Sequence, residues 1–298
     1  MYAFRRDFER IEWSAIPTRP DVYVLAVLFA VGSFILRAVR WWVYLRRMEI
    51  RIPIGFCIAT YVAGFAYTLA PGKVGELLKY QYYRPRGVEF TPVAAAYTVE
   101  RLTDLAVLVS IALFFWGVST HGYSLIVLLS GIVAMVLLLL IGRIHALDSL
   151  WPIRVLNRRR GTRKILEYIN HGIRSAQKLL TPSSLFLGFG LGCLAWLCEC
   201  VTLYVFSGIF PDVGMSMTAA LGIYAVAIVV GAVSFLPGGL GGAEAAMVAL
   251  LLFNGFSFQE SAALTAICRL LTLWGAVAAG WLFVYALHVI GVNPEVKA

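Results

Sequence analysis

Charge is what this sequence has least of. Only 14% of its 298 residues are charged, against about a quarter in an ordinary soluble domain. A chain of this length needs a charged surface to stay in water, so the deficit argues against a soluble protein. Histidine is nearly as scarce: His121, His145, His171 and His288 are scattered, mostly near the edges of apolar runs. The zinc-hydrolase pattern HExxH, the nucleophile pattern GxSxG and the phosphate-loop pattern GxxxxGKS/T are all missing. No nucleophile–base pair assembles, so the expectation is a protein that is not an enzyme and uses no metal or cofactor. An ATP-driven mechanism would need a separate subunit. The cysteines Cys57, Cys193, Cys198, Cys200 and Cys268 all lie in apolar segments and form no CxxC pair. That fits small buried residues better than redox or metal chemistry. The alternating strands of an outer-membrane barrel are absent. So is a cleavable leader, because the N-terminus opens with a polar stretch from Arg5 to Arg19.

What is there in abundance is apolar sequence, 60% of the chain. It comes in runs long enough for a helix to cross a hydrocarbon core of roughly 30 Å. Backbone groups in lipid must be paired within their own segment, which makes helices the expected solution. The net charge of +9 sits between the apolar runs. There the positive-inside rule and anionic headgroups account for it, and nucleic acid is not needed as a partner. After a mixed-charge stretch ending in Pro17 and Pro20, the expected spans are Val22–Leu45, Pro92–Val118, Tyr123–Gly142, Leu185–Phe210 and Ser261–Ile290. Two further runs, Ile52–Ala70 and Met215–Leu236, stop at Pro71-Gly72 and at Pro237-Gly238-Gly239-Leu240-Gly241-Gly242.

The two halves resemble each other. Leu69-Ala70-Pro71-Gly72 matches Phe235-Leu236-Pro237-Gly238, and a glycine and then a glutamate follow each. Glu76 precedes Arg101 by the same 25 residues that separate Glu244 from Arg269, and Arg101-Leu102 matches Arg269-Leu270. Weak internal repeats of this kind are common in transporter folds. The expected organisation is a single membrane domain over 1–298. Half one covers about 21–142, a basic segment 143–182 follows, and half two covers about 183–290. In the basic segment Ile165, Ile169, Ile173, Ala176 and Leu180 recur at helical spacing, the stripe of an amphipathic helix lying on anionic headgroups. Its Lys and Arg place it in the cytoplasm, and Arg46, Arg47 and Arg51 should lie on the same side. For that to hold, 52–91 and 215–260 must each enter and leave by one face. The fold class expected is therefore an all-α membrane protein of about six full spans, the five runs named above among them, plus two re-entrant helical hairpins in an inverted repeat. The alternative is seven to eight full spans.

Ionisable residues at membrane depth cost roughly 2.5–3.5 kcal/mol each on insertion scales. They persist where they pair or line a polar cavity. The candidates are Glu76, Lys79, Glu100, Arg101, Asp104, Glu199, Glu244 and Arg269. Glu100, Arg101 and Asp104 share one helical face. Glycines at the breaks allow positive φ and close backbone approach, and a helix restarting there offers N–H groups to an anion such as phosphate. Lys73, Lys79, Arg101 and Arg269 would add cationic partners.

These motifs, taken in order, are specific. Leu36-Arg37-Ala38-Val39-Arg40-Trp41, Ala70-Pro71-Gly72-Lys73-Val74-Gly75-Glu76, Glu100-Arg101-Leu102-Thr103-Asp104-Leu105, Leu236 through Glu244 and Arg269-Leu270 resemble the flippase-like family. That family is also called the lysylphosphatidylglycerol synthase transmembrane-region family, and the resemblance covers about 20–290. It implies an integral protein of the cytoplasmic (inner) membrane. In some relatives the domain moves aminoacylated phosphatidylglycerol between leaflets; others accompany glycosyltransferases using polyprenyl-phosphate sugars, or hopanoid pathways. Only eight residues follow Ile290, so the aminoacyl-transferase domain of some relatives is not expected here. The family's motif positions carried over are Pro71, Gly72, Gly75, Glu76, Glu100, Arg101, Asp104, Pro237, Gly238, Gly239, Gly241, Glu244 and Arg269. With Lys73, Lys79, Glu199 and Gly242 they make the expected substrate-binding set. The expected function is a translocase for a phosphate-bearing lipid: an aminoacyl-phospholipid, a phospholipid or a polyprenyl-phosphate sugar. The alternative is a non-transporting membrane partner that scaffolds a glycosyltransferase or lipid-modifying enzyme through 143–182.

Overall fold

A computed structural model describes residues 19–119, 171–210, 213–234 and 236–292. The expected span Tyr123–Gly142 and most of the basic segment lie outside these residues. The described residues contain helices and no strand. The helices are α1 (Pro20–Arg47), α2 (Ile54–Gly64), α3 (Phe90–Ser119), α4 (Pro182–Ser207), α5 (Met217–Val233), α6 (Gly242–Phe253), α7 (Phe258–Arg269) and α8 (Gly275–Val289). A π-helical stretch, Leu270–Trp274, joins α7 to α8 without a break in direction.

Local sequence sets the helix ends. Pro20 and Pro182 sit in first turns, where a missing N–H costs nothing. Ser216 caps α5 by accepting from the Ala219 N–H at 3.2 Å. Ser257 and Glu260 cap α7 reciprocally, at 3.3 and 2.8 Å. Three of the described helices are long and apolar enough to cross a membrane: α1 with 28 residues, α4 with 26 and the α7–α8 unit with 32. At about 1.5 Å rise per residue they exceed the ~30 Å of a hydrocarbon core.

α1 and α4 make the most extensive pairing in the fold. Gly188 and Gly192 on α4 let it happen. A Cβ at Gly192 would lie 2.7 Å from Arg40 Nη1, and one at Gly188 would run into the Tyr44 ring. This is the small-xxx-small approach used between membrane helices.

The apolar core falls into two main clusters. One gathers the start of α1, the second half of α3, and α4 through α7. The other gathers the end of α1, α2, the start of α3 and Leu179. Between them α1 contributes Ser33, Arg37 and Arg40, α3 contributes Glu100, Arg101 and Asp104, and α4 contributes Glu199. A charged layer thus lies between two apolar ones.

Both proline–glycine breaks interrupt helices where the sequence places them. α2 runs out through a 3-10 turn at Phe65–Tyr67, and a second 3-10 segment, Pro71–Lys79, starts after Ala70 turns extended. In the other half α5 ends at Val233, Pro237–Gly239 forms a 3-10 turn, and α6 follows. In each half, residues near the two ends of the interrupted segment lie close together. Arg86 stacks 3.7 Å over Phe56, near the start of α2. Gly255, past the end of α6, lies beside Val213, ahead of α5. The two breaks themselves meet: a Cβ at Gly238 would touch Leu69 at 3.0 Å.

One expectation needs adjustment, that for the basic segment, and two arginines of α1 are placed in the core. Arg37 and Arg40 are 5% and 0% exposed, so they belong to the interior, unlike Arg46 at the exposed end of α1. The described end of the basic segment, 171–180, turns apolar residues of its stripe to the core and leaves His171, Arg174 and Lys178 exposed. Leu179 is buried in the second cluster, with Ala176 and Leu180 packed on it. Lys178 and His171 reach Glu49 and Glu89 at 3.7 and 3.8 Å.

Candidate functional site

The charged layer is a connected network. On α1 the residues Ser33, Arg37, Arg40 and Tyr44 recur at helical spacing and form one buried face. Arg40 donates to Asp104 at 2.7 Å and Glu100 at 3.2 Å. Arg37 donates to Glu199 at 2.8 Å and lies 3.9 Å from Asp104. Arg101 joins Asp104 at 3.2 Å, Glu100 at 3.3 Å and Glu76 at 3.7 Å. Lys79 sits 3.7 Å from Glu100, its ammonium 3.6 Å above the Trp41 ring and 4.3 Å from the Tyr61 ring. Neutral donors complete the carboxylate shells. Tyr61 donates to Glu100 at 2.7 Å, Thr68 to Glu76 at 2.9 Å, Trp196 to Asp104 at 3.1 Å and Tyr224 to Glu199 at 3.0 Å. Each of these charges has an opposite charge beside it, which is what lets it stay buried, although Arg101 Nε and Nη2, Glu100 Oε2 and Asp104 Oδ2 make no hydrogen bond.

The second half contributes a smaller set. Arg269 donates to Glu244 at 2.5 Å and to the Gly238 carbonyl at 3.0 Å. The two pairs set 25 residues apart in the sequence, Glu76–Arg101 and Glu244–Arg269, are therefore both ion pairs. In each half a side chain from the following long helix also holds a carbonyl of the break. Tyr97 donates to Lys73 O at 2.7 Å as Arg269 donates to Gly238 O.

The breaks share a left-handed backbone. Gly238 and Gly239 have φ of 61° and 69°; in the first half the left-handed residue is Lys73, at φ 58°. A residue with a Cβ pays roughly 1–2 kcal/mol for that conformation. The cost is borne by a lysine whose ammonium has no carboxylate within 4.0 Å among the described residues. At the start of α6, Glu244 turns back to accept the Gly241 N–H at 2.6 Å. One of the N–H groups that the sequence offers to an anion is thus already taken.

A cavity of about 300 Å³ occupies the space between the breaks. Arg37, Lys73, Glu76, Arg101, Asp104 and Glu199 line one part; Gly238, Gly239, Arg269 and Thr272 line another. Apolar residues from α1, α3, α5 and α8 make up the rest. Leu105 and Leu236 both line it and are 43% and 47% exposed, so the cavity opens on an apolar outer surface.

Of the expected site residues, Lys73, Glu76, Arg101, Asp104, Glu199, Gly238, Gly239 and Arg269 line this cavity. Glu100 and Lys79 stand behind it in the network, and Glu244 reaches it through Arg269. Gly75 packs against Tyr67 and Ala70, and Gly241 and Gly242 shape the start of α6. Pro71 and Pro237 open the 3-10 turns, with Gly72 following Pro71. Arg37, Arg40, Trp196, Tyr61 and Tyr224 belong to the site as well, although they are missing from the set expected on sequence. The stripe Ser33, Arg37, Arg40, Tyr44 is a usable signal for two of them, since polar residues at that spacing share one face of an apolar helix.

Known proteins resemble this chain along most of its length. A "UPF0104 membrane protein" of Methanothermobacter thermautotrophicus is 25% identical over 282 residues, covering 88% of this chain and 82% of its own. A second protein of that description from the same organism is 27% identical over 113 residues, 37% of this chain and 33% of its own. The family described as lysylphosphatidylglycerol synthase TM region matches residues 2–280. Spanning nearly the whole chain, including both breaks and the ion-pair network, that match makes this membrane protein a member of the lysylphosphatidylglycerol synthase transmembrane-region family.

Proposed function

We propose that this protein is a translocase that carries the phosphate-bearing headgroup of a lipid between the leaflets of the cytoplasmic membrane. The observation behind this reading is the cavity. It is charged inside, built from both repeat halves, and open at Leu105 and Leu236 onto an apolar surface. A headgroup fits the interior while its acyl chains remain in lipid. The 52–91 and 215–260 segments act as re-entrant hairpins entering from opposite faces, which gives the inverted repeat two ways to open. Arg101 and Arg269 meet the phosphate, and the carboxylates around them hold the arginines in place. No step of this cycle asks for covalent chemistry.

Alternating access makes a direct prediction. Thr272 is buried and lines the cavity. In a chain whose native cysteines are replaced by alanine, Thr272→Cys should react with a membrane-impermeant thiol reagent added to either side of oriented vesicles. Reaction from one side only, under every condition that leaves the protein folded, would contradict the reading.

A further inference from the structure

Among the described residues the charged layer and its cavity hold an odd number of charges, and the odd one is placed. Six cations, Arg37, Arg40, Lys73, Lys79, Arg101 and Arg269, face five carboxylates, Glu76, Glu100, Asp104, Glu199 and Glu244. Every carboxylate has a cationic partner, and every cation except Lys73 has a carboxylate within 4.0 Å among the described residues. Lys73 lines the cavity beside Arg101 and Arg37. Its left-handed backbone is held by the Tyr97 hydroxyl on its carbonyl, which fixes the lysine at the break where the two halves meet.

Lys73 is half-buried at the cavity wall, and a charge there without a close counter-charge is less costly once one arrives. Among the described residues the surplus is a single positive charge. A phosphodiester carries a single negative one. A zwitterionic headgroup would leave one uncompensated cation in the cavity, its own ammonium, and a lysyl-phosphatidylglycerol headgroup, with two amines, would leave two. We infer that the cavity is matched to a monoanionic phosphodiester headgroup seated on Lys73, and that it selects unmodified anionic phospholipid over the aminoacylated form. This rests on the translocase reading for its setting but concerns binding alone.

The test uses the purified full-length chain in detergent, with native mass spectrometry reading retained lipid. It is offered equimolar phosphatidylglycerol, phosphatidylethanolamine and lysyl-phosphatidylglycerol of matched acyl chains. The wild type should retain phosphatidylglycerol preferentially. Lys73→Asn keeps a residue that tolerates positive φ and removes the charge; it should weaken that binding about tenfold, as expected for one charge-assisted contact. Lys73→Glu should turn the preference toward lysyl-phosphatidylglycerol. Arg46→Asn, on the exposed end of α1, should leave the preference intact and so report non-specific anion binding. Unfolding temperatures of all variants exclude misfolding as the cause. Wild-type preference for the lysyl lipid, or a phosphatidylglycerol preference unchanged by both Lys73 variants, would overturn the inference. So would displacement by inorganic phosphate or glycerophosphoglycerol as effective as by the lipid, which would make the ligand a free phosphate species. Phosphatidylglycerol selectivity in a protein that moves no lipid between leaflets would sustain this inference while removing the translocase.

Discussion

At the residue scale, the account turns on charges that cannot be removed one at a time. Arg40 is fully buried, with Glu100 and Asp104 as partners. Arg40→Ala should cost about 3–5 kcal/mol, the usual penalty for stranding a buried partner. Unfolding temperature in detergent reads this loss. Adding Asp104→Asn to Arg40→Ala should recover part of it, because one stranded carboxylate is then neutral. If the double variant is less stable than Arg40→Ala by the full cost of a second independent lesion, the network is not coupled as described. Arg40 also shows what sequence alone hides. A basic residue near the end of an apolar run has an ordinary explanation, the positive-inside rule, and its neighbours Arg46 and Arg47 fit that explanation. Only the spacing from Ser33 to Tyr44 sets Arg37 and Arg40 apart, and that pattern gains meaning once α4 lies against it.

The elements depend on close helix approach and on chain reversals. Gly192 gives α4 room for the Arg40 guanidinium. Gly192→Val should separate α4 from α1 and cost about 1–3 kcal/mol, in line with overpacking elsewhere. It should also reduce any lipid-handling activity, because Arg37, Arg40 and Trp196 would shift together. The reversals predict topology. Arg51 ahead of α2 and Asn254 after α6 are both exposed. Cysteines at these positions, in a cysteine-free background, should be labelled from opposite faces of a sealed vesicle. Labelling from the same face would contradict the inverted arrangement. The breaks are legible in the sequence itself, because proline followed by glycine stops a helix for reasons of dihedral geometry. Their meeting at Leu69 and Gly238 is less so, since it depends on packing between segments more than 160 residues apart. The π-helical stretch after Arg269 leaves no trace in the sequence pattern either. Such bulges gather at functional sites, and this one places Thr272 and Leu273 on the cavity.

For the molecule as a whole, the plan is two apolar clusters with a charged layer between them and a cavity within that layer. The glutamate and arginine that the sequence repeats 25 residues apart form an ion pair in each half. The repeat does not show that the two pairs are unequal. Arg101 stands among three carboxylates, whereas Arg269 has Glu244 and a backbone carbonyl. That difference makes the Arg269 pair the simpler one to perturb. The measurement that tests the central claim most directly is headgroup movement in proteoliposomes, following labelled phospholipids and polyprenyl-phosphate sugars in parallel. The account predicts protein-dependent movement of one lipid class, reduced at least tenfold in folded Arg269→Ala and Glu244→Gln variants. Full movement in both variants, or no movement of any lipid by folded wild-type protein, would contradict it.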